Sequence, residues 1–216
     1  MKKVLILLII ALIIVFISFY FYQKINTIKN QQKSQNMTNL INKKVVMIVA
    51  SEGFRDEEYL VPKRVLENRG VEVKTASNKL GIAQGADGAE TKVDLLIQDI
   101  NLSDFDAIIF VGGPGALNNL DNEISYNLIK KTIEEDKPLA AICISPVILA
   151  KAGILKNKKA TVWSSISDKS PIKILEENGA LYQKENVVID GKIITANGPL
   201  AAKEFGEAIV NLLEKQ

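Results

Sequence analysis

Lys137-Pro138-Leu139-Ala140-Ala141-Ile142-Cys143-Ile144-Ser145-Pro146 is the stretch on which the fold turns. Leu139 to Ile142 is a short apolar run of strand type, and it ends at Cys143, the single cysteine of the chain. Ser145 reads as a helix N-cap and Pro146 as the first helical residue, where a missing N–H costs nothing. Residues 147–152 carry the helix to a stop at Gly153. A strand that turns sharply into a helix with a nucleophile at the corner is an elbow. It puts the side chain at the carboxyl end of a sheet, beside helix N–H groups that favour a thiolate over a thiol. The plain alternative is a small buried apolar cysteine.

Composition narrows the chemistry. The chain has 216 residues, a formal net charge of +2 and no histidine. The missing imidazole removes the usual base, proton shuttle and metal ligand. One cysteine excludes an internal disulfide and leaves a zinc site of the usual kind without ligands. No metal and no cofactor are expected. Basic residues are interspersed with acidic ones rather than with aromatics, so no nucleic-acid partner is expected.

At the N-terminus, Lys2 and Lys3 precede an apolar run from Val4 to Tyr22, relieved only by Ser18. That length suffices to cross a hydrocarbon core, and Phe19-Tyr20-Phe21-Tyr22 looks like an interfacial aromatic belt. A cleaved signal peptide would want a shorter apolar core and a small-x-small site, which does not follow Tyr22. The expectation is an uncleaved anchor over residues 1–22, a transmembrane helix that meets the membrane through residues 4–22. The protein would then be single-pass. Lysines on both sides leave its orientation undecided. Residues 23–43, rich in Asn, Gln and Lys, read as a polar linker. Residues 44–216 read as the folded domain.

In that domain, Val45 to Ala50 is a continuous apolar run, as in a strand buried on both faces. Residues 55–68 are helix-like, with Pro62 inside, and residues 71–75 alternate like a strand. Residues 105–111 form a second strong apolar run that leads into Gly112-Gly113-Pro114-Gly115, and a helix is expected over 124–134. Residues 160–163 suggest a strand, 172–178 a helix, and 187–195 a hairpin turning at Asp190-Gly191. A final helix is expected over 200–213. Strands alternating with helices indicate an α/β, doubly wound, mostly parallel sheet. Ligands of such sheets bind beyond the carboxyl ends of the strands. The loops at Glu52–Glu58, Gly112–Gly115 and Cys143–Ser145 therefore converge.

Each loop has a plain and a functional reading. Gly112 and Gly113 are a tight turn, or a place where backbone N–H approaches a substrate oxygen. With Ile144 N–H, Gly113 N–H would complete an oxyanion hole. Glu57 and Glu58 suit a helix start, or one of them faces Cys143. A protonated Glu would donate to the thiolate and favour it, while an ionised one would raise the thiol pKa. Trp163 reads as core or pocket wall.

Four ordered pieces together resemble the DJ-1/PfpI superfamily, which includes proteins classed as peptidase family C56. They are Glu58-Tyr59-Leu60-Val61-Pro62, Gly112-Gly113, Ala140-Ala141-Ile142-Cys143-Ile144-Ser145-Pro146, and Ile194-Thr195-Ala196-Asn197-Gly198-Pro199. The resemblance spans residues 44–213 and implies a flavodoxin-like, class I glutamine amidotransferase-like sheet. It implies Cys143 as nucleophile and Glu58 interacting with it, and it maps the glycine pair to Gly112 and Gly113. Gly113 and Ile144 stay the candidate oxyanion donors, with Gly112, Trp163 and Asn197 expected around the pocket. It further implies a small-molecule substrate or ligand and a homodimer. Similarity to glyoxalase and deglycase members suggests action on reactive carbonyls. A weak peptidase C56-type hydrolase, a cysteine-based redox sensor and a non-catalytic binding module are the other readings. Many members place a histidine after the cysteine or on a later loop. Here Ile144 fills the first place and no histidine exists for the second, so a Cys–His pair has no base in this chain.

Overall fold

The computed structural model describes residues 15–27, 29 and 40–215. The chain divides into two compact units, Met1–Asn39 and Leu40–Gln216. In the second unit the apolar runs become strands and the amphipathic runs become helices. The strands are β1 (Lys44–Val49), β2 (Glu52–Phe54), β3 (Glu72–Ser77), β4 (Gly81–Gly85), β5 (Glu90–Val93), β6 (Leu95–Leu96), β7 (Ala107–Phe110), β8 (Leu139–Ile142), β9 (Lys159–Ala160), β10 (Leu181–Tyr182), β11 (Val187–Asp190) and β12 (Ile193–Ala196). The helices are α1 (Asp56–Glu67), α2 (Ala116–Leu120), α3 (Glu123–Glu134), α4 (Pro146–Lys151), α5 (Ser170–Glu177) and α6 (Ala202–Leu213).

Seven strands form the main sheet in the order β11-β12-β8-β7-β1-β3-β6. All neighbours run parallel except β11 against β12. Successive side chains along a strand face opposite sides, so each continuous apolar strand feeds two cores. Val46, Ile48, Ile108, Phe110, Leu139 and Ala141 pack with Ile129, Val147, Ile148, Leu149 and Leu175 of α3, α4 and α5. Val45, Met47, Val49, Ile109, Ala140 and Ile142 pack with Tyr59, Leu66, Phe205, Ile209 and Leu213 of α1 and α6. This is the doubly wound α/β sheet expected from the alternation of strands and helices. The chain reverses its direction of travel across the sheet between β1 and β7, which puts a crevice at their carboxyl ends.

Local differences have local causes. The glycine-rich stretch after β3 is ordered as the antiparallel hairpin β4–β5, which joins β2 in a separate sheet. The Asp56 carboxylate holds its turn by accepting the N–H groups of Asp87 and Ala89 at 3.2 and 2.6 Å. The short helix α2 follows Gly115 directly and was not foreseen. Of the expected strand at 160–163 only Ala160 lies in a strand, β9. Helix α3 starts on Asn122, whose side chain accepts from the N–H groups of Ile124 and Ser125.

The elbow is the main correction to local reading. Ser145 precedes the helix, but it has helical backbone angles and makes no side-chain cap. Its buried hydroxyl instead donates to the Val111 carbonyl at 2.8 Å, tying the elbow to the end of β7.

The expected membrane anchor is also corrected. Among the described residues no helix is long and apolar enough to cross a membrane. The described helical run there covers residues 15–27. Its last turns carry Gln23, Lys24 and Asn26. Residues 4–14 of the expected span, and residues 28 and 30–39 of the expected linker, lie outside the described residues. The single-pass membrane localisation is withdrawn on this finding.

Ser145→Ala leaves a buried carbonyl without its donor. The expected cost is about 1–3 kcal/mol in urea unfolding. An unchanged midpoint would show that the Ser145–Val111 tie carries no stability.

Candidate active site

Parallel strands end at one edge, and the loops that leave β1, β7 and β8 are bound to one another there. Arg55 N–H donates to the Gly112 carbonyl at 3.0 Å, and Gly115 N–H to the Gly53 carbonyl at 2.9 Å. Cys143 N–H donates to the Ala196 carbonyl and Trp163 N–H to the Cys143 carbonyl, each at 2.8 Å. The loops are thus held by backbone, which leaves the side chains free for the site.

Cys143 has φ = 64°, a left-handed conformation rare for a residue with a side chain. Such a conformation costs on the order of 1–3 kcal/mol and persists only where the surroundings impose it. Here the β8 ladder on one side and the Ser145 tie on the other impose it. The bend turns the sulfur off the sheet and toward Glu58, the third residue of α1. Gly112 lies between the two. A Cβ on Gly112 would sit 2.5 Å from the Cys143 Cβ and 2.6 Å from a Glu58 carboxyl oxygen. Only glycine permits the approach.

Glu58 is fully buried, and neither carboxyl oxygen accepts a hydrogen bond of normal geometry from the described residues. Burial raises its pKa from an ordinary 4.5 to about 7, against the opposing pull of the Cys143 thiol, the Arg55 guanidinium and the Gly112 amide. Burial likewise pushes the Cys143 thiol up, and a charged Glu58 pushes it further, while the N–H groups of Gly113 and Ile144 pull it down. The expected easy ionisation of Cys143 is therefore corrected. The two amides act on the sulfur as foreseen, but desolvation outweighs them. The thiolate gains most when Glu58 keeps its proton and remains neutral.

The structure brings Cys143, Glu58, Gly112, Gly113 and Ile144 together. A cleft of about 330 Å³ opens over Cys143, and Trp163 forms part of its wall. Asn197 is placed elsewhere. It lines a neighbouring cleft of about 890 Å³ with Ser164 and Lys169, and its amide donates to the Asn186 side chain. Sequence reading missed Arg55, Leu117 and Asn118, which also line the Cys143 cleft. Arg55 precedes Glu58 by three positions, and residues so spaced at a helix start share a face. That signal was available.

A nucleophile, a carboxyl that titrates near neutrality and two amides aimed at one atom can perform covalent addition to an electrophilic carbon with local proton transfer.

Two expected outcomes follow from the Glu58 carboxyl. In folded protein it holds a proton up to about pH 7, whereas unfolded it releases it near 4.5. Stability contributed by this group is thus complete below the unfolded value and lost as pH rises through the folded one. Urea unfolding should show wild type losing about 3 kcal/mol relative to Glu58→Gln between pH 4 and pH 8. A parallel pair of curves would refute the raised pKa. Removing the charge should also lower the Cys143 thiol, so iodoacetamide should label Glu58→Gln faster at pH 8, about tenfold for each unit of lowering. Slower labelling would reverse the assigned sign.

The DJ-1/PfpI family model matches residues 43–212. Deglycase PfpI of Pyrococcus furiosus is 33% identical over 171 residues, which cover 79% of this chain and 99% of that one. Glutathione-independent glyoxalase DJR-1.2 of Caenorhabditis elegans is 30% identical over 172 residues, covering 80% and 89% of the two chains. The crystal structure of a ThiJ/PfpI domain protein from Brachyspira murdochii superposes with a TM-score of 0.76 at 33% identity, covering 80% of this chain and 97% of that one. With its flavodoxin-like parallel sheet and a family match that runs from the first strand into the last helix, this chain belongs to the DJ-1/PfpI family.

Proposed function

We propose that this protein is a cysteine-dependent enzyme acting on small reactive carbonyl compounds of the 2-oxoaldehyde class. The observation that carries the reading is the buried Glu58 carboxyl, titrating at about 7 and facing the Cys143 thiol. Such a group gives and takes protons near neutral pH, which a chain without histidine requires of its acid–base residue. Two relatives named as a deglycase and as a glutathione-independent glyoxalase support the substrate class.

The chemistry runs in four steps. The Cys143 sulfur forms a bond to the aldehyde carbon, the carbonyl electron pair moves to oxygen, and the thiol proton ends on that oxygen, giving a hemithioacetal. The N–H groups of Gly113 and Ile144 stabilise the oxygen while it is negative, each donor worth about 100- to 1,000-fold in rate. Ionised Glu58 then removes the hydrogen from the former aldehyde carbon as a proton. Protonated Glu58 returns it to the neighbouring carbon, so an enediol becomes a thioester. Water cleaves the carbon–sulfur bond, releasing a 2-hydroxy acid and the free thiol.

A second reading is a non-catalytic binding module. The upward push on the thiol favours it, as does the apolar Ile144 next to Cys143. Peptidase action ranks below both, because no imidazole is present to protonate a leaving amine. The homodimer implied by the family is carried as part of the proposal.

With full-length protein and methylglyoxal, lactate should form in wild type. It should fall to background in Cys143→Ser and by about 100-fold or more in Glu58→Gln. Equal rates in wild type and Cys143→Ser would overturn the enzymatic reading in favour of the binding module.

A further inference from the structure

Among the described residues that line the Cys143 cleft, Arg55 alone is charged. No carboxylate faces the cleft from its walls, and Glu58 lies beneath its floor, sealed from solvent. The cleft therefore presents one cation over otherwise weakly polar and apolar surface, with the sulfur at its base. The Arg55 backbone is fixed by its N–H bond to the Gly112 carbonyl, at the same loop that carries the Gly113 amide.

The guanidinium has a partner at the rim. Arg55 Nη1 lies 2.7 Å from Asp87 Oδ2, with the two side chains 35% and 54% exposed. Asp87 is not placed by chance. It stands in the β4–β5 turn, and the Asp56 carboxylate holds that turn through the N–H groups of Asp87 and Ala89. Consecutive residues Arg55 and Asp56 thus position a carboxylate on a guanidinium at the cleft mouth. An ion pair this exposed contributes little, so it is readily exchanged. A planar guanidinium accepts another carboxylate or a phosphate in its place, with two parallel N–H donors.

We propose that Arg55 is the anion-recognising residue of the cleft. The substrates would be carbonyl compounds that carry a carboxylate or phosphate near the reacting carbon, and Asp87 occupies the place of that anion when the cleft is free. This rests on Cys143 as the nucleophile and goes further by naming the charge of the substrate. Asp87 acts as an internal competitor, so ligands without a negative charge gain nothing from displacing it.

The test compares two alkylating reagents of nearly equal size at Cys143, anionic iodoacetate and neutral iodoacetamide, at pH 8.5 on the full-length protein. The ratio of their rate constants reports the charge sensed at the sulfur and cancels changes in thiol pKa. The ratio should fall about tenfold in Arg55→Gln, whose backbone N–H still reaches Gly112, and rise in Asp87→Asn, which frees the guanidinium. The opposite signs in the two variants separate recognition from loss of folding. Pyruvate should protect Cys143 better than methyl pyruvate, and glyceraldehyde 3-phosphate better than glyceraldehyde. Whichever pair shows the larger preference identifies carboxylate or phosphate as the recognised group. A ratio unmoved in both variants, with no preference for the anionic member of either pair, would overturn the proposal. Alkylation requires no turnover, so inactivity toward methylglyoxal would leave this result standing, and an unmoved ratio would leave the methylglyoxal result standing.

Discussion

The site depends on one steric fact: two strand ends approach so closely that no side chain fits between them. Gly112 closes β7 where the elbow leaves β8, and its missing Cβ is what lets the Cys143 sulfur and the Glu58 carboxyl share a space. Everything chemical about the cleft descends from that approach. It buries the carboxyl without giving it a hydrogen bond of normal geometry, and burial then raises its pKa to about 7. A polar group left so poorly partnered destabilises a fold. The left-handed backbone of Cys143 adds a further cost. Strain and an unsatisfied acid meet at one spot, while the surrounding sheet is apolar on both faces and well packed. That is the distribution expected when local stability is given up for chemistry.

The remainder of the fold serves to impose this strain. Parallel strands deliver three loops to one edge, and backbone hydrogen bonds between the loops hold them in register. Ser145 contributes a tie from elbow to β7 instead of a helix cap. The β4–β5 hairpin, bound to Asp56, brings Asp87 to Arg55 and so furnishes the rim of the cleft with charge. A structural clamp and the cleft mouth are thus built from adjacent residues of α1 and its leading loop.

Electrostatics at the site runs opposite to a simple reading of helix ends. Amide groups near Cys143 do favour a thiolate, but α4 is short and the sulfur is buried, so desolvation dominates. The sign of the Glu58 contribution then depends on its proton. Neutral Glu58 is compatible with a thiolate, and ionised Glu58 opposes it. A histidine would supply a cation and relieve this coupling, and its absence from the sequence makes the carboxyl the controlling group.

Much was legible from residues alone. Apolar runs at 45–50, 139–142 and, Asp106 apart, 105–111 announced buried strands, and their order with the intervening helices indicated a doubly wound sheet with loops gathered at one edge. The lone cysteine at a strand–helix corner and the glycine pair after β7 marked the site, because close approach and sharp turns demand particular residue types. The apolar run at 4–22 suggested a membrane span, yet among the described residues no helix is long and apolar enough to cross a membrane. Asn197 misled because a residue beside the right motif can face a different cleft. Tertiary structure alone decided that Ser145 bonds to Val111, that Arg55 and Asp87 pair across the cleft mouth, and that the thiol is pushed up rather than down. These outcomes depend on distance and burial between segments remote in the chain, and Coulombic and desolvation energies are set by that geometry and not by sequence spacing.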